Sequence, residues 1–444
     1  MALFDDLMGK LEEIFLRHDD ELQLSAKTEF FFVNRDLFGR ISLVMDEETF
    51  GGERFEKALS SLREDIAETL APHVLPDGRA LFFRAAPFAE EQQGAVVFRH
   101  EGRFSFTVVD RVLTESSWAA RAEEDELSWK TAVFFSIKGG VGRSTALAAA
   151  AWYLAKKGKT VMVVDMDLES PGLSSSLLPE ERRPEYGLLD WLVEDAVGNG
   201  DAVIHNMVAT SPLAEGGGEI FVVPAHGRND GEYIAKMGRA WMPRMEGDVR
   251  VSWPQRLRGL LEKLDGEYGP DCILIDSRAG LDEIASACVL GLAPELVLLF
   301  AVEGVQTWKG YSILFRYWNG LGQAAAVRES LQVVAAMLPP VPDKQAYVRH
   351  LRENAWNVFS RSLYDDVPAP GDASEQPEAA LPEPFNFDIE DEEAPHHPWI
   401  VHWNQGLSAM EQLYALNHAL DEALMRAVFP FIDNLYRFFF EEEA

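Results

Sequence analysis

The stretch 131–173, TAVFFSIKGGVGRSTALAAAAWYLAKKGKTVMVVDMDLESPGL, limits the fold of this chain more than any other. Residues 133–137 form a short apolar run of β-branched and aromatic side chains, the pattern of a parallel strand buried on both faces. Lys138, Gly139, Gly140, Val141, Gly142, Arg143, Ser144 and Thr145 follow. The glycines let the backbone turn so that successive N–H groups point inward as an anion nest. An alanine-rich segment over 144–157, stopped by Gly158, predicts a helix. An anion would sit on the N-terminus of that helix, where free N–H groups and the dipole favour negative charge. Residues 161–164 predict the next strand, with Asp165 and Asp167 at its carboxyl end, where open α/β sheets bind their ligands.

The ordinary P-loop reads G-x-x-x-x-G-K-[ST]. Here Ile137 stands at the place of the first glycine, so that pattern is not met. The stretch instead resembles the deviant Walker A signature of the ParA/MinD family of ATPases, K-G-G-x-G-K-[ST], at Lys138, Gly139, Gly140, Gly142 and Ser144. It departs once, with Arg143 in the place of the lysine. The resemblance covers about 131–444 and is strongest to residue 173. It implies a doubly wound α/β domain with a mostly parallel sheet, which binds ATP and Mg2+ and closes as an ATP-dependent homodimer.

By the same resemblance, Lys138 reaches across the dimer to the partner's phosphates, and residues 138–145 hold the nucleotide of their own subunit. Ser144 ligates the metal, Thr145 touches the α-phosphate, Asp165 supports the metal and Asp167 positions the attacking water. The catalytic set is then Lys138, Arg143 and Asp167, and the metal set Ser144, Asp165 and Asp276. Arg143 in the loop and the D-S-R-x-G run at 276–280 look like a bacterial subgroup that occurs beside other interaction modules, some in conflict or defence settings.

Residues 272–276, apolar and closing on Asp276, read as the Walker B strand, and 277–280 as the second switch. Residues 220–224, 296–300, 331–338 and 399–403 predict further strands. Helices are expected over 188–195, 252–264, 407–416 and 420–440, the last kinked or broken at Pro430. Glu303 and Gly310 resemble the loop-to-helix step that follows the 296–300 strand in ParA-like proteins. The segment 365–397 is rich in Pro, Glu and Asp and reads as a disordered or loosely held insertion.

Upstream, 1–115 reads as a separate α+β domain, with amphipathic helices marked by Leu7, Leu11 and Ile14 and by Leu59, Leu62 and Ile66. It carries no nucleophile–base pair or metal spacing, and it is either a partner or sensor module or a packing extension. Residues 116–130 are the expected connector.

The formal net charge is -33. It argues against nonspecific DNA binding, which needs clustered Lys and Arg, and against a basic membrane-surface helix. Cys272 and Cys288 show no C-x-x-C spacing, so a reducing cytoplasm is the expected setting. No apolar run reaches membrane-spanning length. His396, His397 and His402 offer weak metal spacing without a cysteine. Two readings follow: a slow ATPase whose nucleotide state switches dimerisation and the binding of an unnamed protein partner, or a non-hydrolysing ATP-binding scaffold.

Overall fold

The computed structural model describes residues 2–76, 78–92, 95–112, 118–119, 121–122, 130–214, 217–247, 249–366, 384–404, 413–415 and 418–441. The chain divides into two compact units, 1–120 with 320–323, and 121–319 with 324–444.

In the first unit, helix Leu7–Leu22 precedes β1 (Phe31–Arg35) and β2 (Ile41–Asp46), and helix Glu56–Leu70 leads to β3 (Leu81–Arg84), β4 (Val96–His100) and β5 (Phe106–Asp110). The sheet order is β3-β2-β1-β5-β4. Alternation along the strands decides what each face buries. Phe31, Val33, Leu43 and Val108 pack with Leu11, Phe15, Leu62 and Ile66 of the two helices. Phe32, Val44 and Val109 point the other way and meet Phe88.

The second unit holds an eight-stranded sheet. Its strands are β6 (Lys130–Ser136), β7 (Thr160–Asp165), β8 (Ala209–Thr210), β9 (Glu219–Val223), β12 (Cys272–Ala279), β13 (Leu296–Ala301), β14 (Leu331–Leu338) and β15 (Trp399–His402). A separate two-stranded hairpin joins β10 (Arg244–Glu246) to β11 (Val249–Val251). The large sheet runs β15-β14-β13-β6-β12-β7-β9-β8, parallel at every step except the β8–β9 edge. Phe134 and Phe135 on β6 show why both faces are closed. Phe134 stacks on Phe300 and meets Phe431 of helix His418–Phe440. Phe135 meets Tyr311 of helix Val305–Gly320 on the opposite side. Helix Arg143–Lys156 is buried almost all round, with Ala146, Ala148, Ala149, Ala150 and Ala151 in the core. A helix with no exposed face carries no amphipathic stripe, so its small side chains, and not periodicity, identify it.

Two expectations change, and a third falls mostly outside the described residues. Helix His418–Phe440 runs through Pro430 as one element, so it is not broken there; the ring is on the exposed side. The expected helix at 407–416 lies largely outside the described residues, and Leu413–Ala415 is a short 3-10 turn. The acidic insertion is also different from its expected character. Residues 367–383 lie outside the described residues, but 384–397 are folded back. Asp365 pairs with Arg328 and accepts the Phe385 N–H at 2.8 Å. Tyr364 packs against Phe385 and Phe387, and His396 is fully buried against the Tyr364 hydroxyl. Aromatic anchors inside an acidic background hold this half of the segment. Most of the expected 116–130 connector is outside the described residues.

Candidate functional site

The loop after β6 is shaped by two left-handed glycines, Gly140 (φ 72°) and Gly142 (φ 78°). Any side chain at Gly142 would also meet Met337, whose Cγ lies 3.1 Å from the place of a Cβ. Gly142 is the residue before the first helical turn, and no side-chain oxygen caps that turn. The N–H groups that open the helix therefore have no partner within it. They border a cavity of about 500 Å³ lined by Gly139, Gly140, Val141, Gly142, Arg143, Ser144, Thr145, Asp167, Glu169, Ser170, Arg278 and Ala279. Lys138 is exposed.

Three strand ends bring the carboxylates together. Asp165 on β7 is the register partner of Asp276 on β12, which in turn pairs with Phe134 on β6. Asp165 is 0% exposed and accepts hydrogen bonds from the Ser174 hydroxyl (2.8 Å) and N–H (3.2 Å). Burial, with Asp276 beside it, pushes its carboxyl up to about 7. Burial also raises Asp167, Asp276 adds to this, and Arg143 opposes it.

Arg143 is 7% exposed and turns in among these groups. Its Nε donates to Asp276 Oδ1 at 2.8 Å and its Nη1 to Ser136 Oγ at 2.8 Å; Nη2 lies 3.4 Å from Asp167 Oδ2. The Ser136 hydroxyl donates onward to the Lys138 carbonyl at 3.0 Å. Arg278, at the far wall, pairs with Glu169 (2.5 Å) and Asp282 (3.0 Å).

Of the residues predicted for the site, the structure gathers Gly139 to Thr145 and Asp167 around the cavity, with Asp165 and Asp276 beneath it and Lys138 outside the lining. Ser136, Ser174 and Glu169 were not singled out from the sequence. Ser136 and Ser174 have their partners Arg143 and Asp165 only 7 and 9 residues away, but a single serine beside a loop carries no motif, and Glu169 works through Arg278, far along the chain. Among the described residues no three or more His, Cys, Asp or Glu form a metal-holding group, and this includes His396, His397 and His402. Both cysteines are free and buried.

Gly310, on helix Val305–Gly320, backs directly onto the loop. A Cβ there would lie 2.4 Å from Ile137 Cγ2. Gly310→Ala is expected to displace Ile137, cost about 1–3 kcal/mol of overpacking and distort the loop that follows. Urea unfolding together with nucleotide titration of the variant checks this; unchanged stability would mean that Ile137 has room to turn.

A parallel sheet, a glycine loop leading into a helix, and a buried aspartate at the register shift of the neighbouring strand together define a P-loop nucleotide-binding protein. The model of the CobQ/CobB/MinD/ParA nucleotide binding domain matches residues 132–436. The chain belongs to this family of ATPase-fold proteins. It is 33% identical over 106 residues to the septum site-determining protein MinD of Buchnera aphidicola subsp. Baizongia pistaciae. That match covers 24% of this chain and 36% of the relative, so the chain spans about a third of that curated relative's length. Among solved structures, the cell division ATPase MinD of Pyrococcus furiosus is similar at 19% identity and a TM-score of 0.42, over 70% of this chain and 99% of that one. A ParA family ATPase from Chlorobium tepidum is similar at 14% identity and a TM-score of 0.41, with the same coverage. Among the described residues no helix is long and apolar enough to cross a membrane.

The donor set suits a hard divalent cation. Asp276 is 1% exposed and its Oδ2 has no hydrogen-bond partner among the described residues, while Ser144 offers a hydroxyl in the first helical turn. Mg2+ is commonly held by one or two carboxylates plus substrate phosphates and water, so it needs no larger cluster.

Proposed function

We propose that this chain binds ATP with Mg2+ in the cavity over residues 139–145, and that its nucleotide state switches homodimerisation and partner binding. The observation that carries this reading is the start of helix Arg143–Lys156, whose first N–H groups have no partner within the helix and belong to residues that line a cavity of about 500 Å³. Backbone donors of this kind suit phosphate oxygens at a helix N-terminus. A cleft lined by Gly142, Thr145, Ala146, Met337, Val401, His402, Trp403, Asn404 and Val428 adjoins the cavity, sharing Gly142 and Thr145 with it. Its apolar walls suit a purine face.

Ser144 and Asp276 would hold the cation, which when bound neutralises charge on the transferring phosphate. Asp167, on the cavity wall, would orient the attacking water. Calorimetry is expected to detect ATP binding that weakens when Mg2+ is removed, and weakens in Ser144→Ala. Equal affinity with and without Mg2+, or no binding, would overturn the reading.

Lys138 is proposed to serve the opposite subunit. Its side chain is exposed and makes no hydrogen bond or ion pair with a described residue, which leaves it available to a second copy. Lys138→Ala is expected to keep nucleotide and lose ATP-driven dimerisation, as read by light scattering with ATP and with ADP. Dimerisation equal to the wild type would refute the cross-dimer role.

One observation favours a second reading, a non-hydrolysing scaffold. The Arg143 guanidinium is engaged by Asp276 and Asp167, and a donor held there is withdrawn from the transferring phosphate. Losing one such donor costs about 3–4 kcal/mol of transition-state stabilisation, roughly a hundredfold or more in rate. Single-turnover cleavage of ATP separates the two readings.

A further inference from the structure

Arg143 stands where its family signature has a lysine, and its surroundings explain what the substitution brings. The guanidinium reaches three elements at once: Asp276 within β12, Asp167 in the loop after β7, and Ser136 at the end of β6. Asp165 lies alongside, with both of its oxygens already accepting hydrogen bonds from its own loop, one from the Asp167 N–H and the other from Ser174. The second oxygen of Asp276 is buried and has no partner among the described residues. The other arginine of the cavity, Arg278, pairs with Glu169 and Asp282. A planar fork with several fixed donors can span two carboxylates and a hydroxyl in one plane, which an ammonium cannot do with the same directionality.

We infer that Arg143 is the resident counter-ion of Asp167 and Asp276: without nucleotide its guanidinium neutralises the two carboxylates that a divalent cation would otherwise neutralise, and a phosphoanion must draw it off before or as the cation binds. The second half rests on the proposed nucleotide site; the first half does not. Two carboxylates ion-paired to an internal cation gain little from an added one. The same carboxylates left without it are buried like charges, which is costly until a cation or a proton arrives. Phosphate oxygens compete for a guanidinium through bidentate charge-assisted bonds. Nucleotide and metal binding are thereby ordered: the anion comes first or together with the metal, and the metal alone is excluded.

The test uses the full chain without nucleotide, so that failure to bind ATP and failure of this inference give different results. Thermal unfolding is measured in chelator and across a Mg2+ series for the wild type, Arg143→Gln, and the double variant Arg143→Gln with Asp276→Asn. The wild-type midpoint is expected to ignore Mg2+. Arg143→Gln should melt about 5–10 °C lower in chelator, the scale for removing one partner of a buried ion pair in a unit of this size, and regain most of the loss with saturating Mg2+. The double variant should regain it in chelator and ignore Mg2+. Should Arg143→Gln fail to fold in chelator, folding of the double variant there supports the inference, and failure of both overturns it. Electron paramagnetic resonance with Mn2+ gives a second readout: no binding to the wild type alone, binding to Arg143→Gln alone. Wild-type protein that binds Mn2+ or is stabilised by Mg2+ as strongly as Arg143→Gln would overturn the inference. So would an Arg143→Gln variant indifferent to both Mg2+ and the second substitution.

Discussion

Asp167→Ala is expected to lower single-turnover ATP cleavage by about two to four orders of magnitude, the range for removing a positioned acid–base group, while ATP still binds. Asp167 is the one carboxylate of the three that lines the cavity, and its side chain is 19% exposed, against 1% for Asp276. Burial and Asp276 raise its proton affinity, which makes it a better acceptor for a proton from water. Its nearest cation, Arg143, is 3.4 Å away, a looser contact than the 2.8 Å bond to Asp276, so Asp167 can turn toward a ligand at small cost. Rapid-quench measurement of the variant checks the rate, and light scattering checks that the ATP-bound dimer outlives that of the wild type. Cleavage within a few-fold of the wild type would reduce Asp167 to a partner for Arg143 and move the catalytic reading elsewhere.

The second large effect concerns stability, away from the cavity. Asp195, at the end of helix Leu188–Ala196, accepts from Arg256 Nε at 2.7 Å and pairs with Arg244 of β10. The Arg256 side chain is 0% exposed and also donates to the carbonyls of Leu192 and Met242. Asp195→Ala strands a buried guanidinium, and the expected loss is about 3–5 kcal/mol, read from urea unfolding. Replacing both members with apolar side chains, Asp195→Leu with Arg256→Met, should recover part of it, because the fully buried charge is then gone and the partly exposed Arg244 keeps Glu246 as a partner. A loss below about 1 kcal/mol for the single variant would mean that water reaches Arg256.

These two cases show what could be read in advance. Strand β6, the glycine loop, helix Arg143–Lys156 and Asp276 are all local patterns: an apolar run, a spacing, an alanine-rich segment, an acid closing a strand. The fold class and the family follow from them, but the order of the strands does not. The direction of Arg143 does not. Its spacing places it on the loop, but its partners lie 24 and 133 residues away, and only the register of β7 with β12 sets them side by side. Composition also concealed His396. It sits in an acidic, proline-rich stretch, yet Tyr364, Phe385 and Phe387 enclose it or its neighbours. An average over a window loses three aromatic anchors among many charges.

Strand β12 does not end at Asp276. It shifts register there and rejoins β6 where Ala279 pairs with Ser136, and the Gly280 N–H donates to the Ser136 carbonyl at 2.9 Å. The segment 277–280 is therefore sewn to the sheet at its far end, and Arg278 rides on a short arch with both feet fixed. An arch of this kind cannot drift through a continuum of positions. It either keeps its last stitch or unpicks it. Solvent exchange at the single amide of Gly280 then counts the unpicking events.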